Sequence, residues 1–336
     1  MKTVLLNVPG KSDLRVQLLR QTPGERGEWN GYKFYLNESP QPCDYTVAFA
    51  GQKVALKSRT GNSHTLFIAG EPPAIKRYNE AYLAQFGSVI SPDSECAHPN
   101  LKLTQQGHPW FCGRKFLAPG KTISVKSYDD YASITTIEKT KLISVVCSDK
   151  QSTPGHKKRF DFIQKLKQAF GDELDLFGTG IEMVEDKADA IRPYQYHIAI
   201  ENSAYPHYWT EKLSDCYLEG AFPFYAGCPN VDDYFQADAY CVIDLDNPEG
   251  TIEKIRDAIT SQRYQKSLKA LQQAKQQVLN DYNLFNLITE HFDHLQTTHV
   301  PDQKEATIFP PKYFKKGSIS RFFQRNLLHP LATTFK

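Results

Sequence analysis

The pattern of apolar and polar residues changes period twice between residues 196 and 226. Residues 196–200 are apolar enough for a buried strand. Thr210 is a favourable N-cap, and apolar residues then recur at helical spacing until Gly220, a typical stop signal. A second apolar run occupies residues 222–226. Strand, helix and strand in this order predict a βαβ unit with parallel strands.

Polar residues cluster where such a unit binds a ligand. In open α/β sheets, ligands bind beyond the carboxyl end of a strand, where the next helix begins. The candidate ligand-binding residues Glu201, Asn202, Tyr208, Glu211 and Lys212 all fall in that stretch. A helix N-terminus also presents free N–H groups and a positive dipole end, so a lysine there completes an anion site. The stretch therefore predicts binding of a nucleotide or a nucleotide sugar through its pyrophosphate.

The rest of the chain repeats the alternation of strand and helix signals. Strands are predicted at residues 3–8, 45–49, 64–69, 88–91, 142–147 and 174–177. Helices are predicted at residues 157–170, 251–263, 264–279 and 281–296. These patterns predict two doubly wound α/β domains, over residues 1–135 and 136–298, and a tail over residues 299–336. The polar stretch 127–140 is the predicted interdomain linker.

Composition excludes several classes of protein without selecting an enzyme. The 336 residues carry 40 Lys and Arg against 38 Asp and Glu, and the resulting charge of +2 gives no case for nucleic-acid binding. No stretch approaches the roughly 20 apolar residues of a membrane span, and no signal peptide is recognisable. The seven cysteines form no C-x-x-C pair, so we expect neither a disulfide framework nor a zinc site. These features favour a cytoplasmic protein.

Three short segments add a more specific pattern. They are Ile-Glu-Asn-Ser at 200–203, Tyr-Trp-Thr-Glu-Lys at 208–212 and Ala-Phe-Pro-Phe-Tyr-Ala-Gly at 221–227. In order and spacing they resemble the α-1,3/4-fucosyltransferases of glycosyltransferase family 10, in their bacterial type. Upstream, Val-Cys-Ser at 146–148 followed by Arg159 is similar to the family's strand-to-arginine segment. The resemblance covers residues 142–245.

The resemblance implies a GT-B fold, with the active site in the cleft between two Rossmann-like domains, and GDP-fucose as the donor. It also implies inversion at the anomeric carbon, which needs a base for the acceptor proton and cations for the departing diphosphate. Residues 67–72, Phe-Ile-Ala-Gly-Glu-Pro, are similar to the family's base element, so Glu71 is the implied catalytic base. Arg159 and Lys212 are the implied phosphate ligands.

Three further residues have implied roles in donor binding. Asn202 and Glu211 would hold ribose or sugar hydroxyls, and Tyr208 would contact the nucleotide or the fucose ring. The scheme needs no metal ion or other cofactor. The Asp-Leu-Asp segment at 244–246 has the spacing of metal-binding carboxylates but lies beyond the donor motif.

Simpler structural interpretations compete with these roles. Glu71 precedes two prolines and also fits a solvated loop carboxylate, and Arg159 ends a basic run typical of an exposed helix face. Residues 211–212 also fit an ordinary first helical turn. His197 lies within a predicted strand and is interpreted as a core histidine. Trp209 either packs in the core or narrows the donor pocket.

The tail is basic and aromatic. Residues 306–336 contain six basic residues and no acidic one. Ile319, Phe322, Phe323 and Leu327 would share one face of a short helix. Such a segment either lies on an anionic membrane surface or docks on the N-terminal domain, and the sequence leaves both alternatives open.

The expected function is fucosyl transfer to a glycan acceptor, in the synthesis of a cell-surface glycan or lipopolysaccharide. We expect a cytoplasmic enzyme, peripheral to the membrane if the tail binds it, with an acceptor that is lipid-linked in that case. Two alternatives stay open: a related transferase that uses another nucleotide sugar, and a catalytically silent protein that binds nucleotide sugars or glycans. Replacement of Glu71 distinguishes an enzyme from the silent protein, because turnover should depend on its carboxylate and binding should not.

Overall fold

Two compact units make up the chain in the computed structural model. It describes residues 1–9, 17–58, 61–118, 121–147, 154–296 and 305–314, excepting the side chains of 154–156 and 296. The first unit comprises Met1–Gly10, Gly31–Gln106 and Phe292–Lys336, and the second comprises Lys11–Asn30 and Gly107–His291. Each unit is therefore discontinuous in sequence.

Parallel strands form the sheet of the first unit. The first eight strands of the chain are β1 (Lys2–Asn7), β2 (Glu28–Trp29), β3 (Tyr32–Leu36), β4 (Tyr45–Phe49), β5 (Leu56–Ser58), β6 (Thr65–Ile68), β7 (Ser88–Ser91) and β8 (Leu101–Leu103). Within the first unit, the order is β3-β1-β4-β6-β7-β8, and neighbouring strands are parallel. β4, β6 and β7 are buried along their whole length, as expected for strands covered on both faces.

The second unit contains a doubly wound sheet of five strands. A separate antiparallel hairpin of β9 (Arg114–Ala118) and β10 (Lys121–Ser124) precedes it. The sheet consists of β11 (Lys141–Val146), β12 (Leu174–Phe177), β13 (Tyr194–Ile200), β14 (Phe222–Ala226) and β15 (Cys241–Val242). Its order is β12-β11-β13-β14-β15, and all neighbouring strands are parallel.

The α-helices lie between and after these strands. They span Glu80–Leu83, Tyr128–Ser133, Pro154–Phe170, Glu211–Leu218, Pro248–Thr260, Arg263–Leu279 and Leu284–Gln296. The predicted βαβ unit is confirmed by β13, the Glu211–Leu218 helix and β14. Thr210 is the N-cap of this helix, and Gly220 follows its end with a φ of 67°. The three predicted C-terminal helices are also present.

The division into units differs from the predicted boundaries and from the predicted linker. Ser127 caps the Tyr128–Ser133 helix in a capping box, and the buried Tyr131 hydroxyl donates to Glu219 at 2.6 Å. The stretch 127–140 therefore packs within the second unit. Arg20 is fully buried in the same unit, where it donates to the carbonyls of Trp110, Cys112 and Lys126. These contacts explain why residues 11–30 and 107–135 belong to the second unit.

The start of the predicted tail is an integral part of the first unit. β16 (Ala306–Ile308) pairs antiparallel with β5, and the Ile308 side chain is buried. The backbone N–H of Phe309 donates to the side-chain oxygen of Gln85 at 2.7 Å. Residues 306–309 therefore pack on the first unit. The predicted apolar stripe at 319–327, to which the docking and membrane alternatives apply, lies outside the described residues. Over the described part of the chain, no helix is both long and apolar enough to cross a membrane.

Candidate functional site

A pocket of about 390 Å³ lies in the second unit where its strand order reverses. The chain passes from β11 to β12 on one side and then crosses to β13 on the other side, so the carboxyl ends of β11 and β13 border a crevice. Val146 and Ile200, at the ends of these two strands, both line the pocket. The site therefore lies where the sequence pattern predicts it.

A glycine lets two strand ends approach each other closely beside this pocket. Gly178 follows β12 and has a φ of 130°, a backbone conformation that residues with a side chain rarely adopt. A Cβ at this position would lie 2.0 Å from the carbonyl oxygen of Cys147, which follows β11. Only glycine therefore lets the ends of these neighbouring strands approach so closely. Both residues line the pocket.

The lining of the pocket has an excess of positive charge. Its cationic side chains are Arg114, Arg159, Lys187 and Lys212. Its carboxylates are Glu185 and Glu211, so the lining carries two more positive charges than negative ones. Such a surplus suits a diphosphate, because arginine can contact phosphate oxygens in a bidentate manner and lysine supplies a point charge.

Lys212 is fixed by the first turn of its helix and by a buried carboxylate. Its Nζ lies 3.3 Å from Glu201 and 3.3 Å from Glu211. Burial alone would lower the pKa of Lys212, but these two carboxylates outweigh it and raise the pKa. The lysine is therefore a permanent cation at neutral pH. About a quarter of its side chain is exposed, which leaves it able to meet a ligand.

Glu201 joins the end of β13 to the start of the Glu211–Leu218 helix. Its carboxylate accepts the backbone N–H and the hydroxyl of Thr210, each at 2.8 Å. Burial raises the pKa of Glu201, and the Lys212 charge opposes that rise. Because its side chain is completely buried, we assign Glu201 a positioning role rather than ligand contact.

A second lysine stands beside this helix start. Lys187 belongs to a short 3₁₀ helix, Lys187–Ala190, and its Nζ donates to Asp215 at 2.9 Å and to the Glu211 carbonyl at 3.2 Å. Burial would lower the pKa of Lys187, but Asp215 and Glu211 together raise it. The Glu211 carboxyl has a lowered pKa, since Lys212 and Lys187 outweigh its own burial. Both groups are therefore ionised at neutral pH.

Arg159 and Asn202 meet at the mouth of the crevice. Arg159 comes from the Pro154–Phe170 helix, and its Nη1 donates to the Asn202 Oδ1 at 2.9 Å. Its buried Nε has no hydrogen-bond partner among the described residues. This contact brings together two residues that lie 43 positions apart in the sequence. A guanidinium with an unused donor is suited to a phosphate oxygen.

His197 is a buried, neutral histidine that borders the pocket. Its Nδ1 lies 2.8 Å from the Ser144 hydroxyl, which donates to the Ala190 carbonyl. Burial lowers the pKa of His197 well below its ordinary value, with a further contribution from Lys187. Its burial and its contact with Ser144 are those of a core histidine, and the absence of a catalytic role stays a prediction.

Both aromatic residues of the Tyr-Trp-Thr-Glu-Lys segment lie outside the pocket lining. Tyr208 is 4% exposed, and its ring packs edge-on against His108 with centroids 5.4 Å apart. Trp209 packs against Phe235 and Tyr282, with ring centroids 5.2 and 5.4 Å away. The packing interpretation of Trp209 is therefore confirmed, and a ligand contact by Tyr208 stays a prediction.

Glu71 belongs to the first unit. It lies two residues after Ala69, the residue that follows β6. It lines a small cavity of about 150 Å³ together with Lys76 and Arg77. A Cβ at Gly70 would lie 2.4 Å from the Cβ of Ala50, so the preceding residue has to be glycine. This close approach fixes the backbone that carries Glu71. Its catalytic role stays a prediction.

Sequence reasoning missed two cations of the pocket, Lys187 and Arg114. The short 3₁₀ helix that carries Lys187 gives no periodic signal. Arg114 lies in β9, in a stretch that the predicted boundary assigned to the other domain. Its guanidinium donates to Gln17 at 2.7 Å and lies 3.9 Å from the centre of the Phe111 ring. Among the described residues, no group of three His, Cys, Asp or Glu side chains is placed to hold a metal.

Comparison with known sequences finds a family model that matches part of the second unit. Residues 136–279 match the model of the glycosyltransferase family 10 (fucosyltransferase) C-terminal domain. The chain is also 29% identical over 102 residues to alpha-(1,3)-fucosyltransferase B of Drosophila melanogaster. That alignment covers 30% of this chain and 23% of the length of the fly protein, so the chain spans less than a quarter of this relative.

Comparison with solved structures concerns nearly the whole chain. A crystal structure of alpha1,3-fucosyltransferase with GDP-fucose aligns with a TM-score of 0.51 at 15% identity, over 89% of this chain and 91% of that one. The N-terminal domain of trehalose-6-phosphate phosphatase from Candida albicans aligns with a TM-score of 0.52 at 8% identity, over 89% and 97% of the two chains. At these identities the likenesses show the fold alone, and they confirm the GT-B fold. Residues 136–279, within the second unit, are therefore similar to the C-terminal domain of glycosyltransferase family 10, the fucosyltransferase family.

Proposed function

We propose that this chain is an inverting fucosyltransferase that moves L-fucose from GDP-fucose to a hydroxyl of a glycan. The observation that carries the proposal is the cationic pocket at the carboxyl ends of β11 and β13, within the region that matches the family. The GDP-fucose bound to the structurally similar alpha1,3-fucosyltransferase supports this choice of donor. The fly relative supports fucose as the transferred sugar.

In the proposed reaction, the pocket holds the diphosphate of the donor. Arg159 and Lys212 contact its oxygens, and Lys187 and Arg114 add charge to the same wall. As the acceptor oxygen bonds to the anomeric carbon, the bond from that carbon to the β-phosphate oxygen breaks. GDP leaves with the electron pair, and the fixed cations stabilise the charge that develops on it.

The remaining proton needs a carboxylate. We assign it to Glu71, which takes the proton of the acceptor hydroxyl as general base. Asn202 and Glu211 bind hydroxyl groups of the donor in this scheme. We place the acceptor among cell-surface glycans such as lipopolysaccharide precursors, a choice that rests on the resemblance of the sequence motifs.

Calorimetric titration tests the donor before any acceptor is known. The purified chain is titrated with GDP-fucose, GDP-mannose, UDP-galactose and UDP-N-acetylglucosamine. We expect GDP-fucose to bind most tightly. Preference for another nucleotide sugar would retain the proposal of a glycosyltransferase but replace GDP-fucose as its donor. Binding of GDP-fucose without transfer to any glycan in an acceptor screen would favour a silent binding protein instead.

A further inference from the structure

A second groove lies at the opposite end of the sheet in the second unit. It has a volume of about 600 Å³ and runs between one face of the Arg263–Leu279 helix and residues 132–137. Gln195, near the start of β13, lines this groove, whereas Ile200, at the end of the same strand, lines the donor pocket. Five strand residues span about 16 Å, so the two sites are separate.

The lining of the groove contains lysines and no carboxylate among its described residues. It contains Lys139, Lys269 and Lys275, and none of the described residues that line it is Asp or Glu. The nearby Glu219 is completely buried and already accepts from Tyr131 and Arg192. Its charge acts on Lys139 and Lys275 from below the surface, but its oxygens are not exposed to a ligand in the groove.

Several donors in the groove lack an acceptor. The Lys275 Nζ donates to the Ile134 carbonyl at 2.6 Å, and the Lys139 Nζ donates to the carbonyls of Arg192 and Glu219 at 2.8 and 2.7 Å. An ammonium group has three N–H donors, so Lys275 keeps two for a ligand, and Lys269 adds an exposed ammonium group at the edge of the groove. Tyr217 also lines the groove, and its buried hydroxyl has no partner among the described residues. Leaving such a buried group unpaired is unfavourable, so an acceptor in the groove would stabilise it.

Apolar side chains complete the lining. Leu268 is half exposed at the edge of the groove, and Ile134, Ile137 and Leu271 line the groove as well. The volume of the groove falls within the range of about 300–1,000 Å³ that is typical of small-molecule sites. The occupant that fits both parts of the lining has an oxyanion head and an apolar body.

We propose that this groove binds a small organic anion with an apolar body, at a site distinct from the nucleotide-sugar pocket. The oxyanion accepts hydrogen bonds from the lysines, and the apolar body covers Leu268. This site requires neither a glycosyl donor nor an acceptor. The proposal therefore stands independently of the proposed function.

Covalent labelling of Lys139 reports whether an anion binds in the groove. Burial lowers the pKa of Lys139 to about 7, so much of the amine is neutral and nucleophilic at neutral pH. Pyridoxal 5′-phosphate is an anion of suitable size that also carries an aldehyde. The lysine nitrogen forms a C=N bond with the aldehyde carbon as water leaves. Borohydride then delivers hydride to that carbon, the nitrogen takes a proton from water, and the adduct becomes a stable secondary amine.

The experiment labels the full chain with pyridoxal 5′-phosphate, reduces it with borohydride and locates the adducts by peptide mass spectrometry. We expect several-fold more labelling of Lys139 than with pyridoxal, which has the same ring and aldehyde but no phosphate. Adding GDP should leave the Lys139 adduct unchanged. A competing aryl anion, phenyl phosphate, should reduce it.

Charge reversal at the exposed edge provides the matched variant. Lys269→Glu should lower labelling of Lys139 by pyridoxal 5′-phosphate several-fold and leave labelling by pyridoxal unchanged. Lys266→Glu is the control, because Lys266 is exposed on the same helix but does not line the groove. Equal labelling by the two aldehydes, or no adduct at Lys139, would overturn the proposal. Since both substituted side chains are exposed, neither variant should fail to fold.

Discussion

At the scale of single residues, Lys212 illustrates how the site keeps a fixed charge. It stands between two carboxylates, so it stays protonated and immobile before a ligand arrives. Lys212→Gln should weaken GDP binding about 10- to 100-fold, because a hydrogen bond to a charged group contributes about 1.5–3 kcal/mol. Calorimetry with GDP measures the effect, and the exposed Lys266→Gln is the control. Unchanged GDP affinity in Lys212→Gln would remove the lysine from the phosphate site.

Substitution of Glu71 tests its proposed catalytic role separately from donor binding. Glu71→Gln keeps the size of the side chain but removes the basic carboxylate, so fucosyl transfer should fall about 10²- to 10⁴-fold. Affinity for GDP-fucose should stay at the wild-type level. Glu80→Gln, a change in the same small cavity, should leave transfer intact. Full turnover by Glu71→Gln would assign the base role to another group.

Lys139 should show a pH dependence of its own. Burial lowers its pKa to about 7, with Arg192 acting in the same direction and Glu219 and Cys216 opposing it. The amine loses its proton as the pH rises through this value, so its rate of imine formation should increase between pH 6 and 8, about one unit on either side of the pKa. A rate at Lys139 that keeps rising until about pH 10, as for an ordinary lysine, would contradict the lowered pKa.

At the scale of secondary structure, the cap of the Glu211–Leu218 helix positions the site. Thr210 accepts the Lys212 backbone N–H and donates to Glu201. Thr210→Ala should lower the free energy of unfolding by about 1–2 kcal/mol, because it removes the cap. Thr210→Ser retains the hydroxyl and should recover most of the stability. Urea unfolding curves of the two variants give the comparison, and equal losses would show that the hydroxyl is unimportant.

The elements that sequence reasoning predicted are those with a period and a cap. β13, Thr210 and the following helix have both, and the chain order of a βαβ unit then fixes where Asn202, Glu211 and Lys212 meet Arg159. Lys187 and Arg114 could not be found in this way. A 3₁₀ helix of four residues is too short to show a period, and an edge hairpin reaches the pocket only through tertiary packing.

At the scale of the whole molecule, the two compact units differ from the predicted boundaries because a domain need not be continuous in sequence. Arg20 lies near the start of the chain, yet its three hydrogen bonds to carbonyls hold the second unit together. No local pattern in residues 11–30 indicates such distant partners. The tail showed the same limitation, since β16 pairs with a strand about 250 positions earlier in the chain, a separation that no sequence period reveals.

Arg20→Met should therefore destabilise the second unit by several kcal/mol, because each buried carbonyl without a donor costs about 1–3 kcal/mol. All three tryptophans, Trp29, Trp110 and Trp209, belong to this unit, so intrinsic fluorescence reports its unfolding. The urea midpoint should fall in Arg20→Met. It should not change in Arg77→Met, a substitution that removes an exposed ion pair of the first unit. Equal midpoints would show that Arg20 is dispensable.

The discontinuity of the first unit has a consequence for its biosynthesis. Its sheet is complete in sequence by β8, but the ring of Phe292 stacks on Tyr45 with centroids 4.1 Å apart, and β16 supplies the partner of β5. All residues of the second unit have been translated by His291. On the ribosome, the second unit can thus finish folding while the first still waits for its last segment, the reverse of the usual N-to-C order of domains.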